Sequence, residues 1–562
     1  MKLGERMRTA ITLSAFAILF LTLVVVSYTR KSATWDEPQH LVAGYEARAK
    51  HDYRFDPEHP PFLRLWASLL VQPTRDFTNA DAAFKGVEWL MLHQFEYCHQ
   101  FLFRLNDADH LLYRARFMNA LWGVLLGILL FSFIRERLGY WPALVGLTLY
   151  TVEPNLLAHA GLITTDFGIT CFAFGTVYFL WRTSNKPTLF NWAGLVLFFM
   201  LAQISKFTGV LLVPVVALGL IVALVRKRIQ LKQALAAIAV AVAVTYLAIW
   251  AVYSFRYYPA PDVTETLGVR EIQMVKERVP QLARIIGWIE NHRLLPSAYC
   301  EGFLLGQTKA QERSAYLAGK YSLKGWWYFF PIAFLIKTPI ALLVLFTLGL
   351  VACLWRWRTS WADDLLLLLP IAVFMGTAMV NKINIGVRHV LPIYPFVIVL
   401  AAMAISEFFL RRRDLALIAV VAAAIELATV YPDNLAFFNL SIGGPNHGAE
   451  YLADSNLDWG QDLKGLSRWM KNQQVTFINL SYFGTAEPVY YGINCTHLPG
   501  APFYAEVQPP KLPGYVAVSE TNLRGVYLEE AGRAFYRPLV AREPVAIIGH
   551  TIRVYWMDKP WW

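Results

Sequence analysis

Charge is scarce in this sequence. Only 16% of the 562 residues are Asp, Glu, Lys or Arg, whereas 56% are hydrophobic. Soluble proteins usually carry about 25% charged residues. Apolar runs of about 18 or more residues recur along the chain instead, which indicates a polytopic α-helical membrane protein. No internal repeat or low-complexity tract stands out.

Cysteine is also rare, and its five occurrences show no metal-ligand spacing. Cys171 and Cys353 fall inside apolar runs, where cysteine behaves as a small core residue. Cys98, Cys300 and Cys495 are expected on the extracytoplasmic side. One disulfide could form among these three, and the sequence does not select the pair.

The net charge of +11 does not indicate a nucleic-acid partner. Most of the excess positive charge lies in short loops between apolar runs, where it sets membrane topology. The first run, from about residue 9 to 28, is longer than the apolar core of a signal peptide and follows Lys2, Arg6 and Arg8. We therefore predict a first transmembrane helix with its N-terminus in the cytoplasm.

Ten further apolar runs bring the predicted total to about eleven transmembrane helices. They lie at about 114–134, 141–157, 166–182, 189–205, 208–225, 233–254, 336–355, 364–380, 390–409 and 414–431. The alternate loops of this arrangement carry basic clusters at 135–137, 182–186, 226–228, 356–358 and 411–413. Cytoplasmic loops are typically enriched in Lys and Arg, so the count is self-consistent, with Arg30 and Lys31 as the exception.

This topology predicts a multi-pass protein of the inner (plasma) membrane with two domains. Residues 1–431 form a transmembrane module with long outer loops at 29–112 and 255–335. Residues 432–562, referred to below as the tail, are too polar to cross the membrane. An amphipathic helix from Asp458 to about Lys471 and strand-like runs at 475–482, 515–519 and 545–556 predict a small extracytoplasmic α/β domain.

Two neighbouring carboxylates, Asp36 and Glu37, follow the first apolar run closely. Ionisable groups at the membrane boundary are costly unless they serve a site. His40 follows one helical turn later, and Glu58 and His59 lie further along the same loop. The structural alternative is an ordinary helix start, in which Asp36 is an N-cap or Thr34 and Glu37 form a capping box.

Other polar residues at helix ends are predicted on the same outer side: His159, Asp166, Lys206, Lys337, Arg388 and His389. Each cation alone could simply extend to the lipid headgroups. Together, carboxylates beside Lys and Arg suit proton abstraction next to a phosphate. Glu37, Glu58, His40 and His59 also offer ligands for a divalent metal ion, but their spacing fits no standard site, so no metal is assigned.

The order of these motifs resembles a known family. The motifs are Trp35-Asp36-Glu37, Asp56-x-x-His59-Pro60-Pro61, Thr165-Asp166, Ser205-Lys206-Phe207-Thr208, Gly386-x-Arg388-His389 and Asp458-Trp459-Gly460-Gln461. Together they are similar to the bacterial relatives of dolichyl-phosphate-mannose protein mannosyltransferases, in the GT-C superfamily that also contains the lipid A aminoarabinose transferase. Two departures are the absence of an internal β-trefoil domain and a His at 59, where the aminoarabinose transferase has Lys.

The resemblance implies an inverting membrane glycosyltransferase that moves a hexosyl or pentosyl group from a polyprenyl-phosphate donor to an extracytoplasmic protein, lipid or glycan. It implies that Asp36 is the catalytic carboxylate, with Glu37 and Asp166 at the neighbouring acidic positions. Donor-phosphate contacts are expected from His59, Lys206, Lys337, Arg388 and His389. The alternatives are a transporter or flippase for lipid-linked sugars, or a non-catalytic protein that binds them.

Overall fold

The computed structural model describes residues 3–76 and 88–562, so part of the predicted outer loop 29–112 lies outside the described residues. Helices dominate the described chain. The α-helices are Leu3–Thr29, Glu37–Lys50, Phe62–Ala67, Gln94–His99, Ala108–Leu138, Tyr140–Thr151, Pro154–Ala160, Thr165–Asn185, Leu189–Gln203, Leu212–Val225, Leu231–Val252, Gln273–Arg278, Pro280–Asn291, Ser297–Lys309, Phe329–Lys337, Ile340–Val380, Tyr394–Phe408, Arg413–Ala428, Gly448–Tyr451, Leu463–Asn472, Glu520–Leu523 and Glu530–Val540.

Within the described residues, six helices are long and apolar enough to cross a membrane. A seventh crossing results if Pro154–Ala160 and Thr165–Asn185, which meet at a 113° bend, count as one broken span. The six are Gly4–Thr29, Ala108–Leu138, Phe207–Val225, Leu231–Val252, Ile340–Val380 and Val387–Phe408. The prediction of a multi-pass helical membrane protein is confirmed.

With the broken span included, the count of seven is lower than the predicted eleven for two reasons. Three predicted spans appear as shorter helices, Tyr140–Thr151, Leu189–Gln203 and Arg413–Ala428. A bilayer crossing usually needs about 20 residues, so helices of this length do not qualify on their own. Two other predicted spans are merged into the single 41-residue helical segment Ile340–Val380.

The segment Ile340–Val380 nevertheless crosses the bundle twice. Asn456 contacts residues on both sides of it: its carbonyl accepts from Lys337 Nζ at 2.5 Å, and its Oδ1 accepts from Val387 N at 2.9 Å. Its middle is at the opposite face, where Asp364 pairs with Arg137. A straight helix of this length would extend about 60 Å, twice the apolar thickness of a bilayer. We call the end with Asn456 the site face and the end with Arg137 the basic face.

The tail contains the predicted small α/β domain. Its five-stranded sheet has the order Cys495–His497, Ile478–Ser481, Gly514–Ser519, Ile552–Met557, Ala546–Ile548. The first three strands in this order are parallel to one another. The fourth strand, Ile552–Met557, pairs antiparallel with both of its neighbours. A separate two-stranded hairpin, Ala315–Leu317 with Lys320–Ser322, lies in the loop 255–335. All five cysteines lie in the described residues and are free, so the disulfide considered above is not formed.

The tail packs against the chain that leaves the first helix. Lys31 Nζ lies 2.5 Å from carboxylate oxygens of both Asp433 and Asp462. The backbone N–H of Ser32 donates to the carbonyl of Gln461 at 2.9 Å. These contacts explain why Lys31 departs from the charge bias of the other loops: its charge is neutralised by the tail.

Candidate functional site

Asp36 precedes the helix Glu37–Lys50, and Pro38 in the first turn suits a helix start. The Asp36 side chain makes no capping hydrogen bond, although the residue occupies the N-cap position. Its Oδ2 accepts instead from Arg388 Nη1 at 3.0 Å, and the carboxylate remains 28% exposed. The capping explanation for Asp36 is therefore not supported, and its side chain faces a site shared with Arg388.

Glu37 has a different environment, although it is the next residue. It is fully buried, and its Oε2 accepts from Thr34 N at 2.8 Å and from Arg116 Nη2 at 2.5 Å. Its Oε1 accepts from Ile163 N at 3.1 Å. Only half of the predicted capping box is present, the bond from Thr34 N to Glu37, because the helix begins at Glu37 itself and the Thr34 hydroxyl donates to the carboxylate. Glu37 connects the start of its helix to Arg116. Arg116, a charge at the start of an apolar run, is not among the site residues predicted from the sequence.

Asp36, Arg388, Asp166 and Lys206 form an ion-pair chain at the site face. The Asp166 carboxylate is 2% exposed, its Oδ1 lies 2.6 Å from Lys206 Nζ, and its Oδ2 lies 3.5 Å from Arg388 Nη1. Arg388 therefore bridges the two carboxylates. These residues come from four separate elements, and Asp36 and Arg388 are 352 positions apart in the chain.

A small cavity of about 40 Å³ lies beside these ion-paired residues. Its polar lining residues are Asp166, Lys206, Thr208, Thr377, Asn381, Arg388 and His389. Among the described residues, Arg388 Nε and His389 Nε2 are buried and have no hydrogen-bond partner. Buried polar atoms are normally paired, so unpaired nitrogens at a cavity point to a polar ligand.

The second motif of the first outer loop forms its own cluster. Asp56 Oδ2 lies 2.6 Å from His40 Nδ1 and 2.7 Å from Arg64 Nη1. Burial would raise the pKa of Asp56, but Arg64 and His40 hold this pKa well below its usual range. Burial would likewise lower the pKa of His40, but the Asp56 carboxylate raises it. Asp56 therefore links His40 to Arg64 through a buried carboxylate.

His59 lies beside this cluster and is electrostatically coupled to Lys206. Burial and the Lys206 charge lower the pKa of His59 to about 3, so its ring is neutral. Its Nδ1 is buried and unpaired within the described part of the chain. The predicted phosphate contact at this position would thus be a neutral imidazole and not a cation.

The four candidate metal ligands do not form one group, although the rings of His40 and His59 lie 6.0 Å apart. Within residues 3–76 and 88–562, no group of three His, Cys, Asp or Glu side chains is arranged to hold a metal ion. Glu37 pairs with Arg116, Glu58 with Lys309, and His40 with Asp56. No metal site is therefore assigned within the described residues.

Lys337 does not line the cavity. Its Nζ donates to the carbonyls of Leu435 at 2.9 Å and Asn456 at 2.5 Å, and it lies 4.6 Å from the ring of Phe438. It thus connects the end of the helix Phe329–Lys337 to the tail. This geometry fits a structural link better than the predicted phosphate contact.

Residues 95–253, less than half of the chain, match the family described as dolichyl-phosphate-mannose-protein mannosyltransferase. The chain resembles this family. The match confirms the resemblance inferred from the motifs and supports a membrane glycosyltransferase of the GT-C type. The matched segment includes Asp166 and Lys206, whereas Asp36 and Arg388 lie outside it.

Several solved structures are similar in outline. The oligosaccharyltransferase of Archaeoglobus fulgidus, in complex with zinc and sulfate, has a TM-score of 0.45 at 14% identity, covering 92% of this chain and 70% of that one. ArnT from Cupriavidus metallidurans, bound to undecaprenyl phosphate, has a TM-score of 0.32 at 13% identity, covering 96% and 97%. At such scores these likenesses add no argument about the site. No curated protein matches the sequence.

Proposed function

We propose that this protein transfers a sugar from a polyprenyl-phosphate donor to an acceptor at the site face. The observation that carries the proposal is the position of Arg388, which joins Asp36 to Asp166 and Lys206 at the edge of a polar cavity. Asp36 is partly exposed and contacts Arg388, and Lys206 pairs with Asp166, the other carboxylate that Arg388 contacts. This combination suits a base beside a phosphate.

The donor phosphate would bind to Lys206, Arg388 and His389. Arg388 offers its unpaired Nε, and His389 offers its unpaired Nε2, without either losing a hydrogen bond. Because the guanidinium presents several N–H groups in one plane, it can hold phosphate oxygens while keeping its contact with Asp36. The cations would stabilise the negative charge that grows on the phosphate as it leaves.

Asp36 is the proposed base. Its carboxylate takes the proton of the acceptor hydroxyl while that oxygen forms a bond to the anomeric carbon. The bond between this carbon and the phosphate oxygen breaks, the electron pair stays with the lipid phosphate, and the configuration at the anomeric carbon inverts. The exposure of Asp36 gives an acceptor access, whereas Asp166 and Glu37 are buried.

Asp166 and Glu37 would position the residues that bind the donor phosphate and take the proton. Asp166 holds Lys206 and Arg388 beside the cavity. Glu37 connects the helix that follows Asp36 to Arg116 and to Ile163 N. We therefore propose a direct chemical role for Asp36 and supporting roles for the two buried carboxylates.

The proposed orientation places the site face outside the cytoplasm of the cell. Arg137 and Arg228 belong to the basic clusters and both lie at the basic face, against Asp364 and Asp363. Basic loops favour the cytoplasmic side of a plasma membrane. The tail, which contacts the site face, would then be extracytoplasmic.

The test is transfer of a labelled sugar from polyprenyl-phosphate donors by the purified protein in lipid nanodiscs, with membrane extract as the acceptor source. Asp36→Asn keeps the side-chain size but cannot take a proton, so transfer should fall about a hundredfold. Asp414→Asn is the matched control, since Asp414 is an exposed partner of Arg412 remote from the cavity. Unchanged transfer in Asp36→Asn would contradict the proposed role.

A further inference from the structure

Trp459 of the tail lies against the guanidinium that bridges the two carboxylates. The carbon at the centre of the Arg388 guanidinium is 4.1 Å from the centroid of the Trp459 ring, and Trp459 is only 2% exposed. An indole is the best aromatic partner for a cation, and the attraction is stronger when the pair is shielded from water. One face of the guanidinium is therefore covered, while its in-plane N–H groups stay available for anions.

The backbone around Trp459 is held tightly. Its N–H donates to Gln461 Oε1 at 2.8 Å, and its carbonyl accepts from the backbone N–H of Trp35 at 2.9 Å. The next residue, Gly460, has a φ of +88°, and a Cβ added there would lie 2.8 Å from the Phe483 carbonyl oxygen. Only glycine fits this turn without strain, so the backbone that carries the indole is held in one conformation.

The same residue thus contacts both sides of the candidate site. Through its ring it touches Arg388, and through its carbonyl it holds Trp35, the residue directly before Asp36. Without the indole, the two carboxylates alone would set the plane of the Arg388 guanidinium, and its Nε would be presented less well to a phosphate. The carboxylates compete with a phosphate for the guanidinium, so a third contact that fixes its plane matters for donor binding.

We infer that Trp459 is a positioning residue for Arg388, and that the tail thereby completes the donor-phosphate site. The effect of Trp459 on donor binding and transfer rests on the proposed function. The contact between the Trp459 ring and the Arg388 guanidinium does not. It extends the role of the tail from a separate outer domain to part of the site.

The experiment compares Trp459→Leu, Trp459→Phe, Arg388→Ala and the double variant Trp459→Leu/Arg388→Ala. Trp459→Leu removes the aromatic face and should raise the KM for the donor about tenfold or more, with a much smaller change in kcat. Trp459→Phe restores an aromatic face and should recover most of the affinity. In the Arg388→Ala background, Trp459→Leu should have little further effect, because the two residues act through one contact.

Trp469→Leu is the matched control. It removes a tryptophan from the same domain, where Trp469 packs 5.3 Å from the ring of Tyr515. Its donor KM should equal that of the parent. Thermal unfolding of each variant in detergent separates a loss of folding from a loss of positioning.

Binding of undecaprenyl phosphate, measured without any transfer reaction, gives a second readout. If the parent transfers no sugar but binds this lipid, and Trp459→Leu weakens binding only when Arg388 is present, the inference holds and the proposed reaction does not. Equal losses with and without Arg388, or a parental affinity in Trp459→Leu, would overturn the inference. If Trp459→Leu does not fold, Trp459→Phe decides: the same donor-binding loss as in Arg388→Ala would also overturn it.

Discussion

Substitution of Glu37 tests whether this buried carboxylate stabilises the fold while its neighbour Asp36 takes part in the reaction. Glu37→Gln replaces one carboxylate oxygen with an NH₂ group and keeps the shape of the side chain. In the parent, both Glu37 oxygens accept hydrogen bonds from Arg116, and they also receive bonds from Thr34 and Ile163. A glutamine retains one acceptor oxygen and directs two donors at groups that are themselves donors.

The cost follows from burial. The side chains of Glu37 and Arg116 are both 0% exposed, so the substitution leaves a buried guanidinium without its counter-charge. Removing one partner of a buried pair typically costs about 3–5 kcal/mol. The Asp36–Arg388 pair is partly exposed, at 28% and 11%, so Asp36→Asn should cost no more than about 1 kcal/mol. Glu37→Gln should therefore lower mainly the free energy of unfolding, whereas Asp36→Asn should lower mainly the rate of sugar transfer.

The assay is the free energy of unfolding in detergent, obtained from denaturant titration, together with the sugar-transfer rate of the folded fraction. Glu407→Gln is the control, because Glu407 pairs with Arg356 at 2.7 Å in an exposed position. We expect it to behave like the parent. A Glu37→Gln variant as stable as the parent but without transfer activity would show that Glu37 takes part in the chemistry and that the buried-pair argument is wrong.

Three further predictions use other parts of the structure. Lys206→Met should weaken binding of the lipid phosphate at least tenfold, measured with undecaprenyl phosphate, because it removes a cation from the cavity; parental affinity would exclude Lys206 from the phosphate site. The pKa of His40 is raised by Asp56, so its charged form stabilises the fold below about pH 6.5, and this stabilisation is lost as the pH rises through the higher folded pKa. The melting temperature of the parent should therefore decline over that range more than that of His40→Gln, and parallel curves would refute the assignment. A reporter active only in the cytoplasm and fused after Trp562 should be silent, whereas a strong signal would reverse the proposed orientation.

Part of the site could be predicted from local sequence. Asp36, Asp166, Lys206 and Arg388 stand out because charge at the end of an apolar run is unusual, and the structure joins these four residues through consecutive ion pairs. Lys337 met the same criterion, yet its ammonium group is bound to two backbone carbonyls away from the cavity. Position along a helix does not reveal which direction a side chain takes or which partner it meets.

Other members of the site left a weaker signal. Arg116 lies at the start of an apolar run, a position that gives no sign of its ion pair with Glu37. Trp459 was part of a quoted motif, but only the folded chain shows its ring against Arg388. An aromatic residue in a polar tail carries no local sign of a partner in the membrane module.

The sequence by itself determined that the chain is a multi-pass helical membrane protein with a small α/β tail, because hydrophobic runs and strand patterns depend on neighbouring residues. It also determined the set of polar residues from which the site is drawn. Only the tertiary structure decided which of these polar residues face the cavity and which are buried in ion pairs elsewhere. Asp36 and Glu37 are adjacent in sequence, yet one reaches a guanidinium 352 positions away at the cavity and the other is enclosed by Arg116. Burial and pairing arise from contacts between distant segments, which no local pattern records.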